Sequence, residues 1–124
     1  MLNQEQSLTD AASGVELVFH ALSDANRRRM IDQLTLGPAS VSELARPLGI
    51  SLPAVVQHLH VLETSGLVES QKVGRIRTCA VRTQALSEAE HWINARRLAW
   101  EQSLDRLGDY LERTAEKPRS RSTP

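Results

Sequence analysis

Two groups of side chains in the middle of this sequence have the chemistry needed to contact double-stranded DNA. The first group begins at Ser51 and includes Gln57, whose amide can both donate to and accept from the edge of adenine in the major groove. The second group is basic and surrounds a glycine: Lys72, Arg75 and Arg77. These cations can neutralise phosphate charge, and Arg75, beside the glycine, can also enter a minor groove. The pattern predicts one element that reads bases and another that holds the backbone.

The first group lies on a predicted helix from Leu52 to about Thr64. Val55, Leu59 and Leu62 recur at helical spacing and should pack inward, which turns the opposite side of the helix outward. When such a helix enters the major groove, its N-terminal residues lie closest to the base edges. The alternative is an ordinary amphipathic helix, but that reading leaves an exposed valine unexplained. The predicted DNA contacts of this helix are Ser51 to a phosphate, Leu52, Pro53, Val56, Gln57, His60 and, on the flank, His58.

A short helix and a hairpin are predicted on either side of this helix. Ser40 and Glu43 have the spacing of a capping box, which starts a helix that ends just before a tight turn into Ser51. After Gly66 the period becomes that of strands, and Gly74 supplies the turn of a hairpin. The alternative for this hairpin is a solvated strand edge that carries charge against aggregation. The order of elements over residues 38–81 is typical of a winged helix-turn-helix.

Two more helices are predicted before this block, from about Asp10 to Leu22 and from Ala25 to Leu36, the second capped by Asp24. The second helix contains the run 27–29, three arginines that point in different directions. We expect at least one of them to pair with a nearby acid and one to reach a phosphate.

A long helix is predicted from about Leu86, with an apolar stripe that recurs over some five turns. This stripe and the apolar side of the first helix together exceed what so small a domain can bury alone, which favours a homodimer. The predicted dimer contacts are Val15, Val18, Phe19, Ile93, Trp100, Leu104, Leu107 and Leu111.

The distribution of charge along the chain is more informative than the net charge. The 124 residues carry 15 basic and 15 acidic side chains, and this balance argues against indiscriminate nucleic-acid binding. Residues 37–82 nevertheless have a net charge of +2, between residues 1–36 and 83–117, each with a net charge of −2. A single cysteine, no apolar run of the ~20 residues that a membrane span needs and no secretory signal pattern predict a cytoplasmic protein without a membrane partner.

We predict neither catalysis nor a bound metal or cofactor. The sequence has no glycine-rich phosphate loop, no nucleophile elbow and no recognisable acid–base pair. A metal site would need several ligands at one place, whereas the histidines fall on three predicted helices. Cys79 is interpreted as a small packing residue. The candidate metal ligands considered were His20, His58, His60, His91, Glu88 and Cys79.

Three segments of the chain resemble the ArsR family of bacterial winged-helix repressors. They read HALSDANRRRMIDQL, VSELARPLGISLPAVVQHLHVLETSGLVES and KVGRIRTCAV, and together cover roughly residues 20–81. The resemblance implies a homodimer, joined by the first and last helices, that binds a pseudo-palindromic operator and blocks transcription. Ser40 and Ser42 stand where metal-sensing members have cysteines. The chain is therefore similar to the subgroup without that metal-binding motif.

The prediction for the whole chain is a mainly α protein with a small β-hairpin, a winged helix-turn-helix of about five helices that is dimeric through the first and last. Residues 9–115 form this domain, with the DNA-reading block at 38–82, a flexible N-terminus at 1–8 and a flexible tail at 116–124. The predicted function is sequence-specific binding of double-stranded DNA by a homodimeric transcriptional repressor. The alternative is a winged-helix module for protein association without specific DNA binding. A repressor that responds to a metal or to oxidation of its thiol is a third hypothesis.

Overall fold

The computed structural model describes the backbone of residues 14–121 and the side chains of residues 14–115. The chain divides into two compact units, Met1–Ala89 and Glu90–Pro124. The described elements are, in chain order, α1 (14–22), α2 (Ala25–Thr35), β1 (Ala39–Ser40), α3 (Val41–Leu48), α4 (Leu52–Thr64), β2 (Val68–Val73), β3 (Ile76–Val81) and α5 (Thr83–Arg121).

Side-chain caps start α2, α3 and α4 at the residues that the sequence predicts. Asp24 caps α2, and Ser51 caps α4 by accepting a hydrogen bond from the backbone of the third residue after it. In α3, Ser40 accepts from the Glu43 amide at 3.2 Å and its own amide donates to the Glu43 carboxylate at 3.1 Å. This bond to the Ser40 amide holds the pKa of Glu43 below its ordinary value. Gly49 then ends α3 with a left-handed φ of 65°.

The hairpin is part of an antiparallel sheet with strand order β1-β3-β2. Only the hairpin was predicted, and the third strand, β1, is a correction to the sequence-based fold. β1 is two residues long and pairs with Thr78 and Cys79 of β3, so it has no periodicity that a sequence pattern could reveal. At the tip, Val73 pairs with Ile76, which leaves two residues in the turn. Of the turn residues only Gly74 has positive φ, as in a type II′ turn.

The core of the first unit holds α4 in place between its neighbours. α4 packs against α2, α3 and β2, with its predicted inward residues fully buried. Cys79 is buried as well, as expected of a packing residue, and burial raises the pKa of its thiol. The predicted inward residues that are buried are Met30, Ile31, Leu34, Val55, Leu59 and Leu62.

α5 is longer than the sequence indicated. It begins at Thr83, three residues before the predicted start, and its first turns contribute Ala85 and Ala89 to the core of the first unit. It continues to Arg121, into the segment predicted as a flexible tail. The predicted start of α1 and the flexible segment 1–8 lie outside the described residues, as do residues 122–124. No helix in the described part of the chain is long and apolar enough to cross a membrane.

Candidate nucleic-acid interface

α4 presents an exposed side that is available to DNA. Pro53, Gln57 and His60 are exposed and lie opposite the buried row of the helix. Leu52 and Val56 are also exposed, by 50% and 42%. An exposed leucine and valine beside a glutamine form a surface that can combine apolar contact with thymine methyl groups and amide contact with adenine.

Ser51 caps this helix and keeps an exposed hydroxyl group. Its hydroxyl oxygen accepts a hydrogen bond from the amide of Ala54 at 3.3 Å, which starts the helix. The side chain is exposed, and its O–H can still donate to an anion. A phosphate placed here would also meet the positive end of the α4 dipole.

His58 points to a different environment from its neighbours on α4. Its side chain is 20% exposed, and Nδ1 lies 3.2 Å from Nη1 of Arg27 and 3.9 Å from Oδ1 of Asp24. The sequence assigned it to the DNA-contacting group, on the flank of the helix. Its position three residues after Val55 and four before Leu62 places it beside the buried row, and this spacing was the available signal.

The three arginines at 27–29 donate to backbone carbonyls instead of pairing with acids. Arg27 donates to Ala21 and His20, Arg28 to Leu22 and Arg29 to Pro47. Within the described residues none of these guanidinium groups forms an ion pair with a carboxylate. The physical reason is that the last carbonyls of α1, and for Arg29 those of α3, have no partner within their own helix and lie at the negative end of its dipole.

The basic residues of the hairpin fall into two classes, those that pair with a carboxylate and those that do not. Lys72 and Arg77 face each other across the two strands. Arg77 is held by Glu63 of α4, with Nη2 2.6 Å from Oε1, and Ser70 bonds to both of them. Arg82 similarly pairs with Glu69 at 3.5 Å.

The remaining hairpin cations, Lys72 and Arg75, are exposed, and no carboxylate of the described residues lies within ion-pair distance of either. The uncompensated charge is therefore concentrated at the tip. A phosphate contact by Arg77 would require it to exchange the Glu63 carboxylate for the phosphate.

The candidate metal ligands do not converge in the part of the chain that the structure describes. No group of three or more histidine, cysteine or acidic side chains there could hold a metal ion. His58 is engaged with Arg27, and Cys79 is buried in the core.

Comparisons with known proteins point to one family. A family described as "Helix-turn-helix domain" matches residues 22–71, from the end of α1 into β2. The HTH-type transcriptional regulator Rv2034 of Mycobacterium tuberculosis is 48% identical over 56 residues, 45% of this chain and 52% of the relative. The match thus spans about half the length of that relative. The transcriptional repressor SdpR of Bacillus subtilis is 28% identical over 76 residues, 61% of this chain and 84% of the relative.

The similarity extends to a solved structure over nearly its full length. A crystal structure described as an ArsR family transcriptional regulator is 39% identical and has a TM-score of 0.67. The match covers 75% of this chain and 93% of that chain. Sequence and fold similarity therefore agree with the resemblance noted from the sequence. The chain belongs to the ArsR family of transcriptional regulators.

Proposed function

We propose that this protein is a sequence-specific DNA-binding repressor that acts as a homodimer on a pseudo-palindromic operator. The observation that carries the proposal is the combination, within one unit, of the exposed side of α4 and the two uncompensated cations of the hairpin tip. Both lie on a rigid frame, because α4 packs on α2 and α3 and its last turn is bonded to β3.

In this proposal the N-terminal half of α4 enters the major groove. Gln57 contacts an adenine edge, and Pro53 and Val56 contact thymine methyl groups. Ser51 donates to a phosphate that sets the depth of the helix in the groove. Lys72 and Arg75 reach the backbone or the adjacent minor groove, and they supply the part of the affinity that depends on salt rather than on sequence.

The homodimer is supported by the apolar surface of the second unit. Five large apolar residues share one side of α5 there, and each is about half exposed or more: Ile93, Trp100, Leu104, Leu107 and Leu111. A contiguous exposed stripe of this kind is typical of an interface. On α1, Phe19 is exposed and Val15 half-buried, whereas Val18 belongs to the core of its own subunit. A two-fold dimer would place two α4 helices ~34 Å apart, one turn of DNA.

The protein in this proposal works in the cytoplasm with DNA and a second copy of itself as its partners. It needs no cofactor and catalyses no reaction. Bound to its operator, the dimer would prevent transcription by occupying the site.

Selection of duplexes from a random DNA library at physiological salt tests the proposal directly. We expect enrichment of a sequence with two related half-sites whose centres are about 10 base pairs apart. The Gln57→Ala protein, selected in parallel, should enrich a sequence that is degenerate at specific positions. Failure of the parent protein to enrich any sequence above background would overturn the proposal.

A protein-association module is the second candidate function. The exposure of Leu52 and Val56 favours it, because apolar residues on α4 suit a protein surface as well as thymine methyl groups. The two functions differ in their response to salt. A DNA-binding protein gains affinity for any duplex steeply as salt is lowered, whereas an association module stays indifferent to DNA at low salt and keeps its oligomeric state.

A further inference from the structure

We infer that His58 positions α4, which we call the reading helix because of its proposed role, rather than contacting a base, and that its neutral form is the one that supports specific DNA binding. The inference deepens the proposed function and rests on it. It arises from a cluster of three side chains that joins α1, α2 and α4: Asp24, Arg27 and His58.

Arg27 is the centre of the cluster and is only 9% exposed. Its Nε donates to the carbonyl of Ala21 at 2.7 Å and its Nη2 to that of His20 at 3.1 Å, so it caps the end of α1. Its backbone amide donates to Asp24 at 3.1 Å. A buried guanidinium is costly unless all its partners are in place, so the remaining nitrogen, Nη1, also needs an acceptor.

His58 supplies that acceptor. A guanidinium can only donate, so Nδ1 of His58, 3.2 Å from Nη1, accepts this hydrogen bond only when it carries no proton. In our inference the ring is neutral, with its proton on Nε2. This bond holds the side of α4 that carries His58 against α2. Through Arg27 it also links α4 to the end of α1. The rotation of α4, which aims Gln57, is set in part by this contact.

Among the described residues, the charged groups that contact the ring from neighbouring elements are Arg27 and Asp24, both at the start of α2. If His58 takes up a proton, Nδ1 becomes a donor and the bond to Arg27 is lost. The imidazolium is then repelled by Arg27 and attracted to Asp24, whose Oδ1 is 3.9 Å away. Protonation would thus exchange one partner of His58 for the other and leave a buried guanidinium nitrogen without its acceptor.

The tautomer is tested without DNA, by nitrogen chemical shifts of the His58 ring in the full-length protein. We expect Nε2 to be protonated and Nδ1 to be bare at about pH 8. A ring that carries its proton on Nδ1 would overturn the inference. Because this measurement does not involve DNA, it separates failure of the inference from failure of the proposed function.

The effect on specificity is tested with two amide variants, using the duplex selected by the parent protein and a scrambled duplex. Asparagine places an oxygen near the position of Nδ1 and does not titrate, whereas glutamine places its amide near Nε2. We expect His58→Asn to keep most of the preference for the selected duplex. We expect His58→Gln and His58→Leu to lose about tenfold or more of it, with circular dichroism showing that they remain folded. Equal preference in the Asn, Gln and Leu proteins would overturn the inference.

The pH dependence of the preference for the selected duplex gives a further test, because a histidine with a purely structural role would not affect it. Between about pH 8 and about pH 5.5, the ratio of affinities for the selected and scrambled duplexes should fall more steeply in the parent protein than in His58→Asn. The other histidines are present in both proteins, so the difference isolates His58. Parallel pH profiles in the two proteins would contradict the inference.

Discussion

Nη2 of Arg77 lies 2.6 Å from Oε1 of Glu63, which bonds the hairpin to the last turn of α4. Ser70 reinforces the contact, because its hydroxyl donates to the same oxygen at 2.6 Å and accepts from Nε of Arg77 at 2.9 Å. The contact fixes the hairpin relative to the reading helix. It also removes one positive charge from the surface that would face DNA.

Releasing Arg77 should therefore make DNA binding less specific. In Glu63→Gln we expect a steeper dependence of duplex affinity on salt, by about one phosphate contact, because Arg77 becomes free to bind phosphate. The free energy of unfolding should change by no more than about 1 kcal/mol, since the pair is partly exposed. Salt titrations with selected and scrambled duplexes measure the effect. Glu69→Gln, which frees Arg82 instead, is the matched control, and an unchanged salt slope in Glu63→Gln would show that Arg77 stays away from DNA.

The two uncompensated cations at the tip should contribute to binding of every duplex. Arg75→Ala is expected to weaken binding to the selected and scrambled duplexes by a similar factor and to reduce the slope of affinity against salt concentration by about one unit. Lys72→Ala should behave in the same way if both reach the backbone. Fluorescence anisotropy over a series of salt concentrations provides the slope. A loss confined to the selected duplex would instead assign Arg75 to base or groove-width recognition.

Gln57 should contribute to the preference for particular DNA sequences and not to the affinity for DNA in general. Gln57→Ala is expected to cost about 1–3 kcal/mol at particular base pairs, because a bidentate amide contact to adenine is lost. Binding to scrambled DNA and the salt slope should be unchanged. Competition with single-base variants of the selected duplex locates the position. Thr64→Ala, in the exposed last turn of α4, serves as the control. Uniform weakening at all positions would contradict a base-specific role.

The apolar stripe of α5 should hold the dimer together. In Leu107→Asp a charge would be buried in an apolar interface, and we expect the dimer dissociation constant to rise about a hundredfold. Sedimentation equilibrium measures this, and operator affinity should fall with it. Gln102→Asp adds the same charge on the opposite side of the helix and should leave the dimer intact. If both variants associate like the parent, the stripe is not the interface.

Cys79 should be chemically inert while the protein is folded. Its side chain is buried and burial raises the pKa of its thiol, so the native protein holds little thiolate at neutral pH. The pKa of the thiol is higher in the folded state than in the unfolded state, so keeping the thiol protonated stabilises the folded protein. This stabilisation is fully present below the pKa of the unfolded thiol and is lost as the pH rises through the pKa of the folded one. Alkylation by iodoacetamide should be slow in buffer and fast in urea. In alkaline solution, the Tm of the parent should fall more steeply than that of Cys79→Ala.

Much of the first unit could be predicted from the sequence because its signals are local. The caps at Asp24, Ser40 and Ser51 depend on residues three positions apart, and the hairpin turn depends on Gly74 itself. β1 escaped prediction, because two residues that become a strand only by pairing with β3 leave no pattern of their own.

The candidate site was predicted less completely than the fold. The exposed side of α4 follows from its helical period, and Pro53, Gln57 and His60 are exposed as that period predicts. The periodicity also places His58 beside the buried row, but it cannot show that Arg27, 31 positions earlier, is the partner. The same holds for Arg77, whose basic character is visible in the sequence and whose pairing with Glu63, 14 positions away, is not.

The sequence by itself determined the family, the order of the helices and the exposed side of α4, since caps, periodicity and turn residues act over a few neighbouring positions. Only the tertiary structure decided which cations remain uncompensated and which histidine is turned inward. Those properties depend on distances of a few ångströms between residues far apart in the chain, and such distances exist only once α1, α2, α4 and the hairpin have packed.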